Sequence, residues 1–279
     1  MTTPTPKSLS LQADGLHARL IVPATPRASL IACIHGGGCN GRYFDLPSFS
    51  FAAAAIKAGH AVLAIDRPGH GASPTSAAIA PVRHAAGLVP AVVAKALAEL
   101  GDHSISVALF GHSIGGAVAM HCAAEAPGMV ACLVTSGIGV RPTRAAMAWH
   151  GGLGEAGDVL LPHEFFFGPD GSFDWRAPIA LRKSAEPWSK VEVDEILLDW
   201  PGQFKAVASS IAAPVLCILS EHERIWENDT AAMEMMRSGF AVGRATVEIA
   251  AGGGHLYEVH RSWSAHAGRI IAFIEEHIK

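Results

Sequence analysis

The chain has 279 residues, of which 50% are hydrophobic and 16% are charged, and its formal net charge is -4. This composition suits a globular protein with one large domain or two small ones, and it excludes an intrinsically disordered chain. The small negative charge and the lack of a long basic run give no electrostatic footprint for nucleic acid or for an anionic membrane surface.

The first half of the chain alternates short apolar runs with longer alanine-rich segments. The segments Ser8–Gln12 and Ala18–Val22 predict a hairpin that turns at Asp14 and Gly15. The further elements predicted here are strands over Leu30–Ile34, Ala61–Ile65, Ser106–Phe110 and Val130–Thr135, and helices over Phe49–Ala58, Val82–Leu100 and Ile114–Ala126. Because the strand runs are nearly continuous in apolar residues, we expect a mostly parallel α/β sheet with helices on both faces.

The alternation stops near residue 137 and resumes with a predicted strand over Pro214–Leu219. A last strand over Ala245–Ile249 and a helix from about Ser262 to Ile278 complete the chain. Active sites of open α/β sheets lie at the carboxyl ends of the strands. We therefore expect residues 1–136 and 211–279 to form the core domain, and residues 137–210 to form a mainly helical cap or lid over that edge.

Cysteine usage and the terminal segments bear on the compartment. The five cysteines are odd in number and contain no Cys-x-x-Cys pair, so neither a disulfide framework nor a zinc site is indicated. The segment Met1–Lys7 lacks the apolar region of a secretory signal, and the apolar stretch Ile114–Ala124 is too short to span a bilayer. We expect a cytoplasmic protein without a membrane span.

The most informative motif is Gly111-His112-Ser113-Ile114-Gly115, which joins a predicted strand to a predicted helix. A serine flanked by glycines two residues away, in a strand–turn–helix context, is the sequence form of a nucleophile elbow. A plain turn is the alternative for the pattern taken alone. In an elbow the serine hydroxyl stands clear of the sheet edge, where it can attack a carbonyl.

A nucleophilic serine needs a general base and a carboxylate, which in this arrangement follow it in the order serine, acid, histidine. His255 follows three glycines and the last predicted strand, whereas the other late histidines lie in or beside the terminal helix. The acid is expected after the strand Pro214–Leu219, where Glu221 and Glu223 both qualify. We favour Glu223, which lies farther into the loop, and keep Glu221 as the alternative.

An oxyanion hole would need two backbone N–H groups near the serine. One is the N–H of Ile114, directly after the nucleophile, and the other would come from the loop His35-Gly36-Gly37-Gly38 after the strand Leu30–Ile34. Glycines allow the backbone to approach a substrate closely, although a flexible turn would look the same in sequence.

With these landmarks in order, the chain resembles the α/β-hydrolase superfamily over nearly its whole length. The resemblance implies Gly37 as the second oxyanion donor, with Gly38 as the alternative. It also places Glu223 where the superfamily often has the aspartate of a Gly-x-x-Asp turn. It also implies a structural role for the turn Asp66-Arg67-Pro68-Gly69-His70-Gly71, and a reaction that needs no metal and no organic cofactor.

The expected function is a serine hydrolase that cleaves a carboxylic ester of a small to medium, partly apolar substrate through an acyl-enzyme on Ser113. A thioesterase or lactonase with the same catalytic residues is an alternative within this chemistry. A non-catalytic small-molecule-binding protein on the same fold is the alternative from another class. The expected partner is thus a small-molecule ester, with no nucleic acid, and the sequence leaves the oligomeric state open.

Overall fold

One eight-stranded sheet organises the described residues, which are 6–25, 29–152 and 163–278 of this computed structural model. The strands are β1 Lys7–Ala13, β2 Leu16–Val22, β3 Ser29–Ile34, β4 Ala61–Asp66, β5 Ser106–His112, β6 Cys132–Ser136, β7 Val215–Ser220 and β8 Ala245–Ala250. Residues 1–5, which belong to the segment tested for a signal, and residues 153–162 of the predicted cap lie outside the described residues.

The strand order is β1-β2-β4-β3-β5-β6-β7-β8. Strand β2 pairs antiparallel with both β1 and β4, and all later pairs in the sheet are parallel. Every residue of β3, β4 and β7 is buried, as expected for strands that are covered on both faces. The parallel arrangement brings the carboxyl ends of β3 to β8 to one edge of the sheet.

Helices cover both faces of the sheet and the carboxyl edge. The helices are α1 Phe51–Lys57, α2 Pro81–Leu100, α3 Ile114–Glu125, α4 Arg144–Gly151, α5 His163–Phe167, α6 Ala177–Leu181, α7 Lys190–Asp194, α8 Trp200–Ser210, α9 Thr230–Gly239 and α10 Trp263–His277. A π-helical turn over Glu195–Asp199 joins α7 to α8, and short 3₁₀ turns span Gly41–Asp45 and Tyr257–Val259. On one face, α2 and α3 pack against the sheet, α8 packs beside α3, and α9 packs beside α8 and β8. On the other face lie α1 and α10.

The predicted α/β fold is confirmed, and the predicted elements differ from the observed ones mainly at their ends. The first helix begins at Phe51 instead of Phe49, because the Ser50 hydroxyl caps it by accepting a hydrogen bond from the Ala53 N–H at 2.8 Å. Helix α9 was not predicted, although Asp229 caps it in the same way.

Three further findings concern the described residues only. All five cysteines are buried and free of disulfides. Within residues 6–25, 29–152 and 163–278, no group of three or more histidine, cysteine or acidic side chains could hold a metal ion. None of the helices in these ranges combines the length and the apolar character needed to cross a membrane.

Candidate active site

The backbone at Ser113 turns sharply between β5 and α3. Ser113 has φ 52° and ψ -123°, a left-handed φ that residues with a side chain rarely adopt. The turn is held by the Ser113 N–H, which donates to the Ser136 carbonyl at 2.7 Å, and by the Gly116 N–H, which donates to the Ser113 carbonyl at 2.8 Å. Strain of this kind persists only where the surroundings fix it, and it is typical of functional sites.

The glycines around Ser113 are required by close backbone packing. A Cβ atom on Gly111 would lie 2.2 Å from the Gly115 carbonyl oxygen, and one on Gly115 would lie 2.1 Å from the Ile34 carbonyl oxygen. Both neighbours are backbone atoms, which cannot rotate away. The motif therefore has the glycines that a nucleophile elbow requires, and a plain turn would not need them.

Ser113, His255 and Glu223 form a hydrogen-bonded chain. The Ser113 Oγ lies 2.9 Å from the His255 Nε2, and the His255 Nδ1 lies 3.0 Å from each carboxylate oxygen of Glu223. A carboxylate only accepts hydrogen bonds, so Nδ1 carries the proton and Nε2 is left to accept the serine proton. The arrangement can therefore deprotonate a serine hydroxyl and stabilise the resulting imidazolium.

The two candidate acids occupy different places. The Glu223 side chain is buried, and its Oε1 accepts hydrogen bonds from the backbone N–H groups of Arg224 and Ile225 at 3.1 and 2.9 Å. Glu221 is exposed and accepts a hydrogen bond from the Gly252 N–H at 2.8 Å. The structure thus brings Glu223 to His255 and leaves Glu221 outside this chain of hydrogen bonds.

Gly37 lines the same cavity as Ser113, and Ile114 follows Ser113 directly in the chain. A Cβ atom on Gly37 would lie 2.9 Å from the Ile114 Cδ1, so the two residues are close neighbours. Ile114 is the first residue of α3, whose leading N–H groups have no carbonyl partner within the helix. Trp188 lies over the glycine loop: Cβ atoms on Gly37 and Gly38 would approach its ring to 2.7 and 2.6 Å.

A cavity of about 340 Å³ opens above Ser113 and His255. Its walls are mostly apolar, with charged groups contributed by Arg182 and Glu186. The larger apolar side chains that line it include Phe166, Phe167, Leu181, Trp188 and Leu256. Trp226 is buried against Gly139, and Trp200 packs on Phe204, so neither tryptophan lines the cavity.

The loop that carries His255 is fastened to the segment that covers the cavity. The Leu256 N–H donates to the Phe166 carbonyl at 2.9 Å, and a Cβ atom on Gly254 would lie 2.4 Å from the Gly168 nitrogen. The Phe166 ring meets the imidazole of His255 edge to face, with 5.7 Å between the centroids. These contacts limit the positions that the imidazole can take.

Glu258, which was not a candidate in the sequence, is a further buried carboxylate close to the site. Its carboxylate accepts a hydrogen bond from the Tyr43 hydroxyl at 2.6 Å and one from the Ser136 hydroxyl, and it lies 3.2 Å from the His112 Nδ1. His112 in turn lines the cavity, with its ring 5.2 Å from that of His255. Its position three residues after His255 was the one signal in the sequence, but no local pattern distinguishes Glu258 from a glutamate on the surface.

Burial alone would raise the pKa of Glu258, but the neighbouring histidines reverse this. The charge and hydrogen bonding of His112, followed by those of His266, hold the pKa of this carboxyl well below its usual range. Glu258 is therefore a carboxylate at neutral pH, and it forms the centre of a polar network beneath the site.

Comparisons with known proteins bear on the family and the fold of the chain. A family model described as the alpha/beta hydrolase family matches residues 31–267. The sequence matched none of the curated proteins.

Solved structures resemble the chain over nearly its whole length at low sequence identity. A carboxyl esterase from Bacillus coagulans has a TM-score of 0.72 and 14% identity, covering 99% of both chains. A monoacylglycerol lipase from Paleococcus ferrophilus has a TM-score of 0.68 and 21% identity, covering 94% of this chain and 99% of its own. An epoxide hydrolase from Vigna radiata has a TM-score of 0.69 and 14% identity, covering 97% and 98%. At these identities the resemblance shows a shared fold, which proteins of several activities use.

Proposed function

Because the chain belongs to the alpha/beta hydrolase family, we propose that it is a serine hydrolase that cleaves a carboxylic ester through an acyl-enzyme on Ser113. The observation that carries the proposal is the hydrogen-bonded chain from Ser113 through His255 to Glu223 at the floor of an apolar cavity. A binding protein would need the cavity but would not need a base aligned on a strained serine.

In the proposed mechanism the Ser113 Oγ attacks the ester carbonyl while the His255 Nε2 takes its proton. Glu223 keeps the imidazole in the required tautomer and stabilises its positive charge. The N–H groups of Gly37 and Ile114 bind the oxyanion of the tetrahedral intermediate. His255 then protonates the leaving alcohol, and a water molecule that His255 deprotonates releases the acid from the serine.

The cavity supports a substrate of small to medium size with an apolar portion. Its volume of about 340 Å³ lies at the lower end of the range of roughly 300–1,000 Å³ for ligand pockets. Aromatic walls such as Phe166 and Trp188 suit an acyl or alkyl group better than a charged one. We propose residues 137–210, which contribute both side chains, as the cap, with 1–136 and 211–279 as the core.

Esters, thioesters and lactones can all be cleaved by the same serine chemistry, so the catalytic residues alone do not select among them. The folds of the esterase and the lipase favour an ester only by analogy. Epoxide opening is disfavoured, because attack by Ser113 would leave an ether on the serine that water could not hydrolyse.

Burial of all five cysteines as free thiols fits the reducing cytoplasm that we propose as the location of the protein.

The direct test is labelling with a fluorophosphonate, which reacts with activated serines. We expect stoichiometric labelling of the native protein and none of Ser113→Ala. Ser104→Ala is the control, since Ser104 is an exposed serine at the opposite end of β5 and its loss should leave labelling intact. An unlabelled native protein would refute the enzyme and favour the binding protein.

Substrate preference is tested with p-nitrophenyl esters of increasing acyl length and with the matched thioesters. We expect short to medium acyl esters to give the highest kcat/KM. Fastest turnover of strongly charged esters would contradict the proposal of a partly apolar substrate. A higher kcat/KM for the thioesters would indicate a thioesterase instead of an esterase.

A further inference from the structure

The turn after β4 places a buried arginine, Arg67, directly behind the glycine loop that borders the cavity. We propose that Arg67 is a positioning residue for the oxyanion hole: it holds the peptide between Gly36 and Gly37 so that the Gly37 N–H faces the substrate. This inference rests on the proposed function, because it concerns how one of the two oxyanion donors is oriented.

The guanidinium group of Arg67 is only 1% exposed and is bound on several sides. Its Nε donates to the His35 carbonyl at 3.0 Å, and its Nη2 donates to the Gly36 carbonyl at 3.0 Å. Its outer nitrogens form an ion pair with the buried carboxylate of Glu192 in α7. Only arginine has a planar fork of donors that can bind two successive carbonyls and a carboxylate at once.

His35 provides a second hydrogen-bond donor to the carbonyl of Gly36. The Arg67 backbone N–H donates to the His35 Nε2 at 3.0 Å, so Nε2 is the unprotonated nitrogen of the ring. The proton is therefore on Nδ1, which donates to the Gly36 carbonyl at 2.8 Å. Burial and the nearby charge of Arg67 hold the pKa of His35 well below its usual value, in agreement with a neutral ring.

Peptide geometry converts these contacts into an orientation of the Gly37 N–H. The described residues contain no cis peptide bond, so the carbonyl of Gly36 and the N–H of Gly37 point in opposite directions from one planar group. Two donors hold the carbonyl on the side of Arg67 and His35. The N–H is thereby turned to the other side, and both glycines line the cavity above Ser113.

The same contacts strengthen the donor that they orient. A peptide whose carbonyl accepts hydrogen bonds is polarised, and estimates of this cooperativity are roughly 10–30% per bond. A charge-assisted bond from a guanidinium polarises the peptide more than a neutral donor does. The Gly37 N–H should therefore bind a developing oxyanion more strongly than an isolated amide would.

Glu192 connects this arrangement to the segment over the cavity. Without it, the guanidinium of Arg67 would be a buried charge with no counter-ion. Helix α7 begins two residues after Trp188, which lies over Gly37 and Gly38. The ion pair thus anchors the covering segment, while the two carbonyl contacts orient the donor, and these effects can be separated by substitution.

The test compares Arg67→Met and Arg67→Lys with Glu192→Gln in the full chain, using the best p-nitrophenyl ester. Turnover is expressed per active serine, counted by fluorophosphonate labelling carried to completion. We expect Arg67→Met to lower kcat about 100-fold, as removal of an oxyanion donor does, with KM changed less than about threefold. Arg67→Lys has one ammonium group in place of the planar guanidinium, so its kcat should lie between those of Arg67→Met and the native protein. Glu192→Gln should lower kcat by less than about tenfold.

A trifluoromethyl ketone, which forms a tetrahedral adduct with the serine, gives a readout that a loss of stability would not move. Its inhibition constant should rise in Arg67→Met by about the same factor as kcat falls. The double variant Arg67→Met/Glu192→Met removes both buried charges together and so serves if the single variant does not fold.

Two outcomes distinguish the inference from the proposed function. A native protein that is labelled and active, with kcat per labelled serine in the folded Arg67 variants within about threefold of native, overturns the role of Arg67 alone. A native protein that is neither labelled nor active overturns the serine hydrolase, and the positioning role falls with it.

Discussion

Replacement of Glu223 by glutamine should lower kcat by about four orders of magnitude, because it disturbs the tautomer of His255 and removes the charge that stabilises its imidazolium. The Oε1 of Glu223 accepts the backbone N–H groups of Arg224 and Ile225, so the glutamine oxygen must stay at that position. The new amide nitrogen then occupies the position of Oε2, 3.0 Å from the His255 Nδ1, and can only donate to it.

This donor competes with the retained oxygen, which also lies 3.0 Å from Nδ1. Where Nδ1 accepts from the amide, the ring proton moves to Nε2, and an N–H faces the Ser113 Oγ at 2.9 Å where a base is needed. Where Nδ1 still donates to the oxygen, the imidazolium that forms has a neutral amide beside it in place of a carboxylate. In a serine protease the corresponding aspartate-to-asparagine change, which imposes the wrong tautomer, lowers kcat about 10⁴-fold. The same loss here would correspond to about 5.4 kcal/mol of transition-state stabilisation.

The assay is kcat for a p-nitrophenyl ester, normalised to the folded fraction. Glu221→Gln is the matched control, because it makes the same chemical change two residues away at a carboxylate that bonds only to the Gly252 N–H among the described contacts. We expect the control to stay within about threefold of the native rate. More than a tenth of native activity in Glu223→Gln would refute the argument, and a large loss in the control would make Glu221 the acid.

Two further predictions concern stability. Gly115→Ala should lower the free energy of unfolding by roughly 2 kcal/mol or more, because the new Cβ would meet the Ile34 carbonyl oxygen at 2.1 Å. Gly87 is exposed inside α2 and has open space around it, so Gly87→Ala should raise the free energy of unfolding by about 1 kcal/mol. Glu258, whose pKa is lowered on folding, should stabilise the protein above its unfolded pKa of roughly 4.3 and lose that contribution as the pH falls toward its folded pKa. Melting temperatures of native protein and Glu258→Gln from pH 7 down to pH 3 should therefore converge on the acid side.

Opposite results would be equally clear. Equal melting temperatures for the two glycine variants would contradict the packing of the elbow against β3. A difference between native protein and Glu258→Gln that stays constant from pH 7 to pH 3 would mean that the carboxylate charge is not what Glu258 contributes.

Local patterns in the sequence were sufficient for the strands of the sheet, for helices α1, α2, α3 and α10, and for the elbow. Apolar runs of strand length, alanine-rich segments and glycine stops act over a few residues, so they can be read without knowledge of contacts. The same holds for the glycines around Ser113, since a strained turn needs small residues wherever it occurs. His255 could be singled out because the order of elements brings a late loop to the same edge of the sheet.

Tertiary structure decided what local patterns leave open. Glu221 and Glu223 are equivalent by residue type, and only the fold of their loop buries one beside His255 and leaves the other exposed. The buried pair of Arg67 and Glu192 joins residues 125 apart in the chain. No local signal specifies such a partner, because the burial and counter-ion that give a charge its role come from segments distant in sequence. The chain by itself determined which residue is the candidate nucleophile, and only the packed fold determined which carboxylate, which arginine and which aromatic walls surround it.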